Sequence, residues 1–316
     1  MLINGVTGNM ISIRDRGLLY GDGVFRTLVV RDGKPQHWQR HYQKIRHDCT
    51  ALGIVCPDFE ILSVELAGLA LEHSNAVFKL IVTRGQFNGH GDEARHARFP
   101  HPNPLVKLLA NRLSPQAVKS LVIPEGEGTN ERSREFKIKR GYAPDPHALP
   151  THIWDVAPLP VYPDTQQGVT LSLCTLRLGH QPRLAGIKHL NRLENVLAAA
   201  ECADADEGLL LDCGGLIIEG VRSNVFLVSR GRLITPDLSR CGVAGVQRDR
   251  VIACAGKLGM TTEVRDVALD ELRASDELFL TNSVFGLWPV AQFQARRWTS
   301  FDVAGRIRTA LEGETD

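Results

Sequence analysis

Closely spaced prolines in Pro158-Leu-Pro-Val-Tyr-Pro163 divide this chain into two blocks. Proline blocks helix, and prolines this close together stiffen an extended segment. The sequence therefore predicts a linker at 158–163, an N-terminal domain over 1–157 that is small apart from a loop insertion at about 87–139, and a C-terminal domain over 164–316 that is larger than the N-terminal domain without its insertion. Beyond the linker, strand-like and helix-like runs alternate, which predicts an α/β domain. The expected strands are 169–176, 207–212, 216–218, 224–229, 232–235 and 277–281. The expected helices are 191–202, 246–258 and 303–311. The N-terminal part reads as α+β. Strands at 2–5 and 9–13 flank a Gly-rich hairpin turn, and a strand at 24–30 precedes helices at 36–52 and 59–71. Strands follow at 76–83 and 151–157. Between these last two, residues 87–139 carry prolines and mixed charge without strong periodicity, and read as a loop insertion. Within it only 105–113 and 117–123 have the composition to pack.

The 316 residues are 43% hydrophobic and 23% charged, enough for one large or two ordinary globular domains. A net charge of +1 gives no reason to expect a nucleic-acid or membrane-surface partner. The start of the chain lacks the basic and apolar regions of a signal peptide, and no apolar run is long enough to span a membrane. Seven scattered cysteines, with no C-x-x-C pair, indicate neither a disulfide framework nor a zinc site. A reducing cytoplasm is the simplest setting.

Three features carry chemistry. Lys188 lies in Leu184-Ala-Gly-Ile-Lys-His-Leu-Asn-Arg-Leu-Glu-Asn-Val196, between apolar neighbours and just before a predicted helix. Glu219 is a lone acid in the apolar run Leu216-Ile-Ile-Glu-Gly-Val. The turn Cys241-Gly-Val-Ala-Gly-Val-Gln-Arg248 opens a helix, where free backbone N–H groups make an anion site. An amine, a carboxylate and an anion cradle are what an enzyme needs to hold pyridoxal 5'-phosphate. Each has an ordinary alternative: a solvated lysine, a strand-end acid facing water, a plain loop.

Asp15-Arg-Gly-Leu-Leu-Tyr-Gly-Asp-Gly-Val-Phe25, Lys188-His-Leu-Asn-Arg-Leu-Glu194 and Arg140-Gly-Tyr142 resemble the fold-type-IV pyridoxal-phosphate enzymes. That group includes branched-chain and D-amino-acid aminotransferases and aminodeoxychorismate lyases. The resemblance spans nearly the whole chain except 87–139, and the block after Lys188 is closest to the lyases. It implies a two-domain α/β enzyme with the cofactor in the interdomain cleft, a homodimer, and a small-molecule substrate. It further implies Lys188 as the Schiff-base lysine and proton shuttle, and Glu219 as partner of the pyridine nitrogen. Val246 and Gln247 would hold the phosphate through backbone amides, and Ser283 through its side chain, with a capping role as the alternative for Ser283. Asn224 follows Ser223 at the family's Ser-Asn pair, where turn chemistry is the alternative to cofactor contact.

Two positions depart from the pattern. Lys44 stands where the family usually has an arginine for the phosphate, and lysine offers a point charge rather than a fork. Arg26 stands where many relatives have an acid, which disfavours a branched-chain aminotransferase. Arg84, Arg140 and Tyr142 are candidates for the substrate carboxylate. Whether 84 and 140 can act together depends on whether the strands flanking 87–139 still pair. The implied activity is conversion of 4-amino-4-deoxychorismate to 4-aminobenzoate and pyruvate, a step toward folate. A D-amino-acid or branched-chain aminotransferase is the second reading. A weakly active cofactor-binding relative with an interaction insertion is the third.

Overall fold

The computed structural model describes residues 1–86, 141–145, 148–162 and 167–314. The expected insertion at 87–139, its two packing segments and Arg140 lie outside the described residues. In the N-terminal block the elements are β1 (Leu2–Ile3), β2 (Val6–Thr7), α1 (Arg16–Tyr20), β3 (Gly23–Arg31), β4 (Lys34–Pro35), α2 (Trp38–Leu52), α3 (Phe59–Glu72), β5 (Ala76–Thr83) and β6 (Thr151–Pro158). The strands form one antiparallel sheet in the order β2-β1-β6-β5-β3-β4. β5 and β6 pair from Ala76↔Pro158 to Thr83↔Thr151, so the strands flanking 87–139 remain in register along their whole length.

Helices α2 and α3 cover one face of this sheet. Ile45 and Cys49 of α2 and Leu62, Leu66 and Leu69 of α3 pack with Leu28, Phe78, Leu80 and Trp154 of the strands. The Asp58 carboxylate caps α3 by accepting the Glu60 N–H at 2.8 Å. Buried Glu65 on α3 accepts Trp154 Nε1–H at 3.0 Å and faces His152 Nε2 at 3.0 Å, which satisfies the indole's only donor.

The second sheet is built from β7 (Val169–Leu178), β8 (Glu207–Asp212), β9 (Ile217–Gly220), β10 (Asn224–Ser229), β11 (Arg232–Pro236), β12 (Thr262–Arg265), β13 (Glu277–Asn282), β14 (Gly286–Phe293) and β15 (Arg296–Arg297). Its order is β12-β11-β10-β13-β14-β7-β8-β9, with β15 beside β14. It is mixed: β11/β12, β14/β7 and β7/β8 run parallel. The helices are α4 (Leu193–Ala200), α5 (Val246–Lys257), α6 (Leu269–Ala274) and α7 (Asp302–Glu312). Val251 and Cys254 of α5 and Ala304, Ile307 and Leu311 of α7 pack on Phe226, Phe279 and Leu287.

Some expectations shift. The hairpin turns at Asn4-Gly5, both at positive φ, so its second strand is Val6–Thr7 and not 9–13. β14 was not expected because Pro289 interrupts it. The proline is tolerated because β7 begins opposite Val290, leaving Pro289 paired only with Phe279 of β13. Short α1, β12 and α6 carry too few residues for a readable period.

One segment ties the two sheets together. Phe25 N–H donates to Lys188 O, and Leu190 N–H to Gly23 O, both at 2.9 Å. On its other side Gly186 N–H donates to Gly242 O at 2.9 Å, and Ala244 N–H to Gly186 O at 3.0 Å. Gly23 is needed at this crossing: a Cβ there would lie 2.7 Å from both Leu190 Cδ1 and Val82 O. The strap 184–190 thus joins β3 to the turn that leads into α5.

Candidate active site

A cavity of about 340 Å³ opens where the strap, β3 and the second sheet meet. Lys188 is fixed there by its own backbone. Its carbonyl accepts from β3, and its N–H donates to Asp48 Oδ2 at 3.2 Å. Its ammonium lies 4.7 Å from the centre of the Phe25 ring. Burial, and then the nearby Arg26 charge, lower the Lys188 pKa to about 8, against a smaller opposing pull from Glu219. A lysine in this state holds a usable fraction of free amine near neutral pH.

Glu219 is the third residue of β9, inside the strand and buried rather than at a wet end. Its Oε2 accepts the Val243 N–H at 2.7 Å. Desolvation raises its pKa well above the carboxylate range, and the Arg192 charge pulls the other way. Arg192 is held in place by the carbonyls of Ile187 at 2.7 Å and His189 at 3.1 Å.

The turn into α5 forms the far wall. Asn224 clamps it from both sides, with Nδ2 donating to Val243 O at 2.8 Å and Oδ1 accepting the Gly245 N–H at 3.2 Å. Gly245 is the N-cap of α5 and offers no side-chain cap. The first-turn amides of Val246 and Gln247 have no intrahelical acceptor and remain available for an anion. Thr281 also lines the cavity, and its buried Oγ1 has no partner among the described residues.

Of the residues singled out from sequence, Lys188, Glu219, Asn224, Val246, Gln247 and Ser283 line this one cavity. Lys44, Arg84 and Tyr142 do not. Lys44 lines a neighbouring space of about 220 Å³, which shares Val246 with the first, and pairs with Asp249 at 2.7 Å. Arg84 is committed to Asp22 at 2.8 Å and to the carbonyls of Leu52 and Gly53, so its guanidinium serves the junction of β3 and α2. Tyr142 is 84% exposed and packs on Tyr20, with ring centres 5.3 Å apart. The sequence reading missed Arg192, His41, Asn195 and Tyr162 as lining residues, and treated Thr281 only as part of its segment. Arg192 lies four residues after Lys188, a spacing that carries no signal outside a helix. His41 sits on the cavity-facing side of α2, and burial holds its pKa down to about 3, so it is neutral.

Comparison with known proteins places this geometry. The sequence model of the family described as "Amino-transferase class IV" matches residues 136–293, half of the chain. The chain belongs to that family. The crystal structure of 4-amino-4-deoxychorismate lyase from Pseudomonas aeruginosa superposes with a TM-score of 0.80 at 38% identity, covering 100% of this chain and 99% of that one. The aminodeoxychorismate lyase of Vibrio harveyi is 28% identical over 98% of this chain and 97% of its own length. The branched-chain aminotransferase of Escherichia coli, at 18% identity and a TM-score of 0.72, shares the fold. The fold is thus the fold-type-IV arrangement expected from the sequence, with mixed α/β content and two curled sheets.

Class IV amino-transferases and their lyase relatives work with pyridoxal phosphate, and the cavity suits it. Among the described residues Arg26, Lys188, Arg192 and Arg222 line it against the single carboxylate of Glu219, so an anion is electrostatically favoured. The uncapped start of α5 and the unpartnered Thr281 hydroxyl are donors in want of an acceptor.

The lysine's state can be tested without cofactor or substrate. In cofactor-free protein, carbamylation of Lys188 by cyanate, followed by peptide mass spectrometry, is expected to level off above pH 8. An ordinary lysine gains rate until about pH 10.4. A midpoint near that ordinary value would show that burial and Arg26 do not act as argued.

Proposed function

We propose that the protein is an aminodeoxychorismate lyase that converts 4-amino-4-deoxychorismate to 4-aminobenzoate and pyruvate. The observation that carries this reading is the end-to-end match, at 38% identity, to the lyase of Pseudomonas aeruginosa. Pyridoxal phosphate, when bound, supplies an aldehyde carbon for the substrate amine and a ring that draws electron density from the carbon bearing it.

The chain's own residues supply the rest. Glu219, buried and fixed by the Val243 N–H, pairs as a carboxylate with the protonated ring nitrogen. Lys188 Nζ takes the proton from the substrate carbon that bears nitrogen. The ring–oxygen bond to the enolpyruvyl group then breaks, and the six-membered ring becomes aromatic. Lys188 returns the proton to the methylene carbon of the departing fragment, which leaves as pyruvate. Substrate and products balance without an amino acceptor.

Loaded protein given 4-amino-4-deoxychorismate is expected to release 4-aminobenzoate and pyruvate in equal amounts with no 2-oxo acid present. Absence of both products would reject the lyase reading. Amine exchange that depends on an added 2-oxo acid would instead favour an aminotransferase.

We further propose a cytoplasmic homodimer. All seven cysteines are free thiols, which supports a reducing compartment, and no helix among the described residues is long and apolar enough to cross a membrane. Leu18 and Leu19 on α1 and Leu193, Val196 and Leu197 on α4 are exposed. The two helices adjoin, because Asn191 Nδ2 donates to the carbonyl of Gly21, the C-cap of α1, at 3.1 Å. An apolar surface of this kind supports a self-complementary interface. Leu193→Asp/Val196→Asp is expected to yield monomer by sedimentation while the wild type sediments as a dimer. A wild-type monomer at micromolar concentration would reject this.

A further inference from the structure

We propose that Arg26 is the side chain that holds the cofactor's phosphate in this chain, and that Lys44, the position to which the sequence resemblance points, does not. The inference rests on the pyridoxal-phosphate reading of the cavity, and not on which reaction follows.

Arg26 lies on β3 with 2% of its surface exposed, and it lines the cavity. One terminal nitrogen donates to Asp48 Oδ2, which also takes the Lys188 N–H. Its Nε is buried and has no partner among the described residues. A guanidinium carries five N–H donors and stays charged, so a buried N–H without an acceptor is costly. The missing acceptor is best supplied by a ligand that fills the cavity.

The surroundings specify an anion. The uncapped first turn of α5, with the amides of Val246 and Gln247, lines the same cavity. Arg26 is near enough to that turn to feel the charge of Asp249 within it. The Thr281 hydroxyl, also buried and unpartnered, adds a third kind of donor. A fork of N–H groups, a helix start and a hydroxyl converging on one space form a receptor for a phosphate dianion. Lys44 borders the same helix start from a neighbouring space, which Val246 and Asp249 line with Arg40, Gln43 and His47, and there its ammonium is neutralised by Asp249. The guanidinium on β3 thus takes over the task that α2 would otherwise perform, and Asp48 on α2 holds it in place.

The test compares two ligands that differ only in the phosphate. Cofactor-free protein is titrated with pyridoxal phosphate and with pyridoxal, and the dissociation constants are read from absorbance. Because Arg26→Gln alone would strand the buried Asp48 carboxylate, the main variant is Arg26→Gln/Asp48→Asn. It is expected to weaken pyridoxal phosphate by roughly 100-fold and pyridoxal by no more than about threefold. Lys44→Gln is expected to change either ligand by no more than about threefold, as for an exposed ion pair. If the neutral double variant does not fold, Arg26→Lys decides: it keeps the charge, loses the fork, and should weaken only the phosphate-bearing ligand, by about tenfold. A loss shared equally by both ligands, no loss at all, or a phosphate-specific loss in Lys44→Gln would overturn the proposal. Failure of wild type to bind pyridoxal phosphate would sink the cofactor reading itself. Absence of lyase turnover with tight cofactor binding would touch only the proposed activity.

Discussion

Replacing Lys188 with alanine is expected to reduce release of 4-aminobenzoate and pyruvate by on the order of 10⁴-fold or more. Among the described residues the substitution removes the only amine in the cavity, where the other cations are guanidinium groups that do not give up a proton. It leaves the strap intact, because the hydrogen bonds that fix 184–190 use the backbone of Lys188 and its neighbours. It also removes a buried positive charge next to Arg26, so the cofactor-free variant should melt no lower than wild type. The loss is therefore expected with folding preserved, and addition of a small amine such as methylamine should restore part of the turnover. A variant that keeps more than about a hundredth of wild-type turnover would remove Lys188 from the proton transfers.

The residues legible in sequence were those with local signals. Lys188 stood out by its apolar flanks, Glu219 as a lone acid at the end of an apolar run, and Val246 and Gln247 as the start of a helix after a glycine turn. What could not be read were commitments made across the chain. Lys44 and Arg84 read as candidate ligands of the phosphate and of the substrate carboxylate, yet each is taken up by a carboxylate remote in sequence, Asp249 and Asp22. Arg26 read as an oddity because many relatives carry an acid there; its partner Asp48 lies on the next helix, and its unfilled donor appears only when the cavity closes around it. The fold shows the same division. Strands 76–83, 207–212 and 224–229 match β5, β8 and β10, because dense β-branched and apolar runs need no context. β14 escaped because its proline is allowed only by where β7 happens to begin.

Glu219→Gln separates charge from scaffold. The amide oxygen of glutamine can still accept the Val243 N–H, so the turn into α5 should keep its shape and the phosphate its amides. What is lost is the negative charge opposite the ring nitrogen. An uncharged partner leaves the ring less able to stay protonated and to draw electrons. Turnover should fall by roughly 10²- to 10³-fold, with the affinity for pyridoxal phosphate changed far less. Stability should move the opposite way. Burial raises the Glu219 pKa above its unfolded value, so between the two values the unfolded chain binds fewer protons, and stability falls as pH rises. Above the raised value the cofactor-free protein carries the full penalty of a buried carboxylate, eased in part by Arg192 and Lys188. Glutamine has no such titration. At pH 8 the cofactor-free variant should melt as high as wild type or higher, and its melting temperature should vary less between pH 5 and pH 8. A variant that is both inactive and unfolded would show that Glu219 serves mainly to brace the turn. One that is fully active would show that no anion is needed opposite the ring.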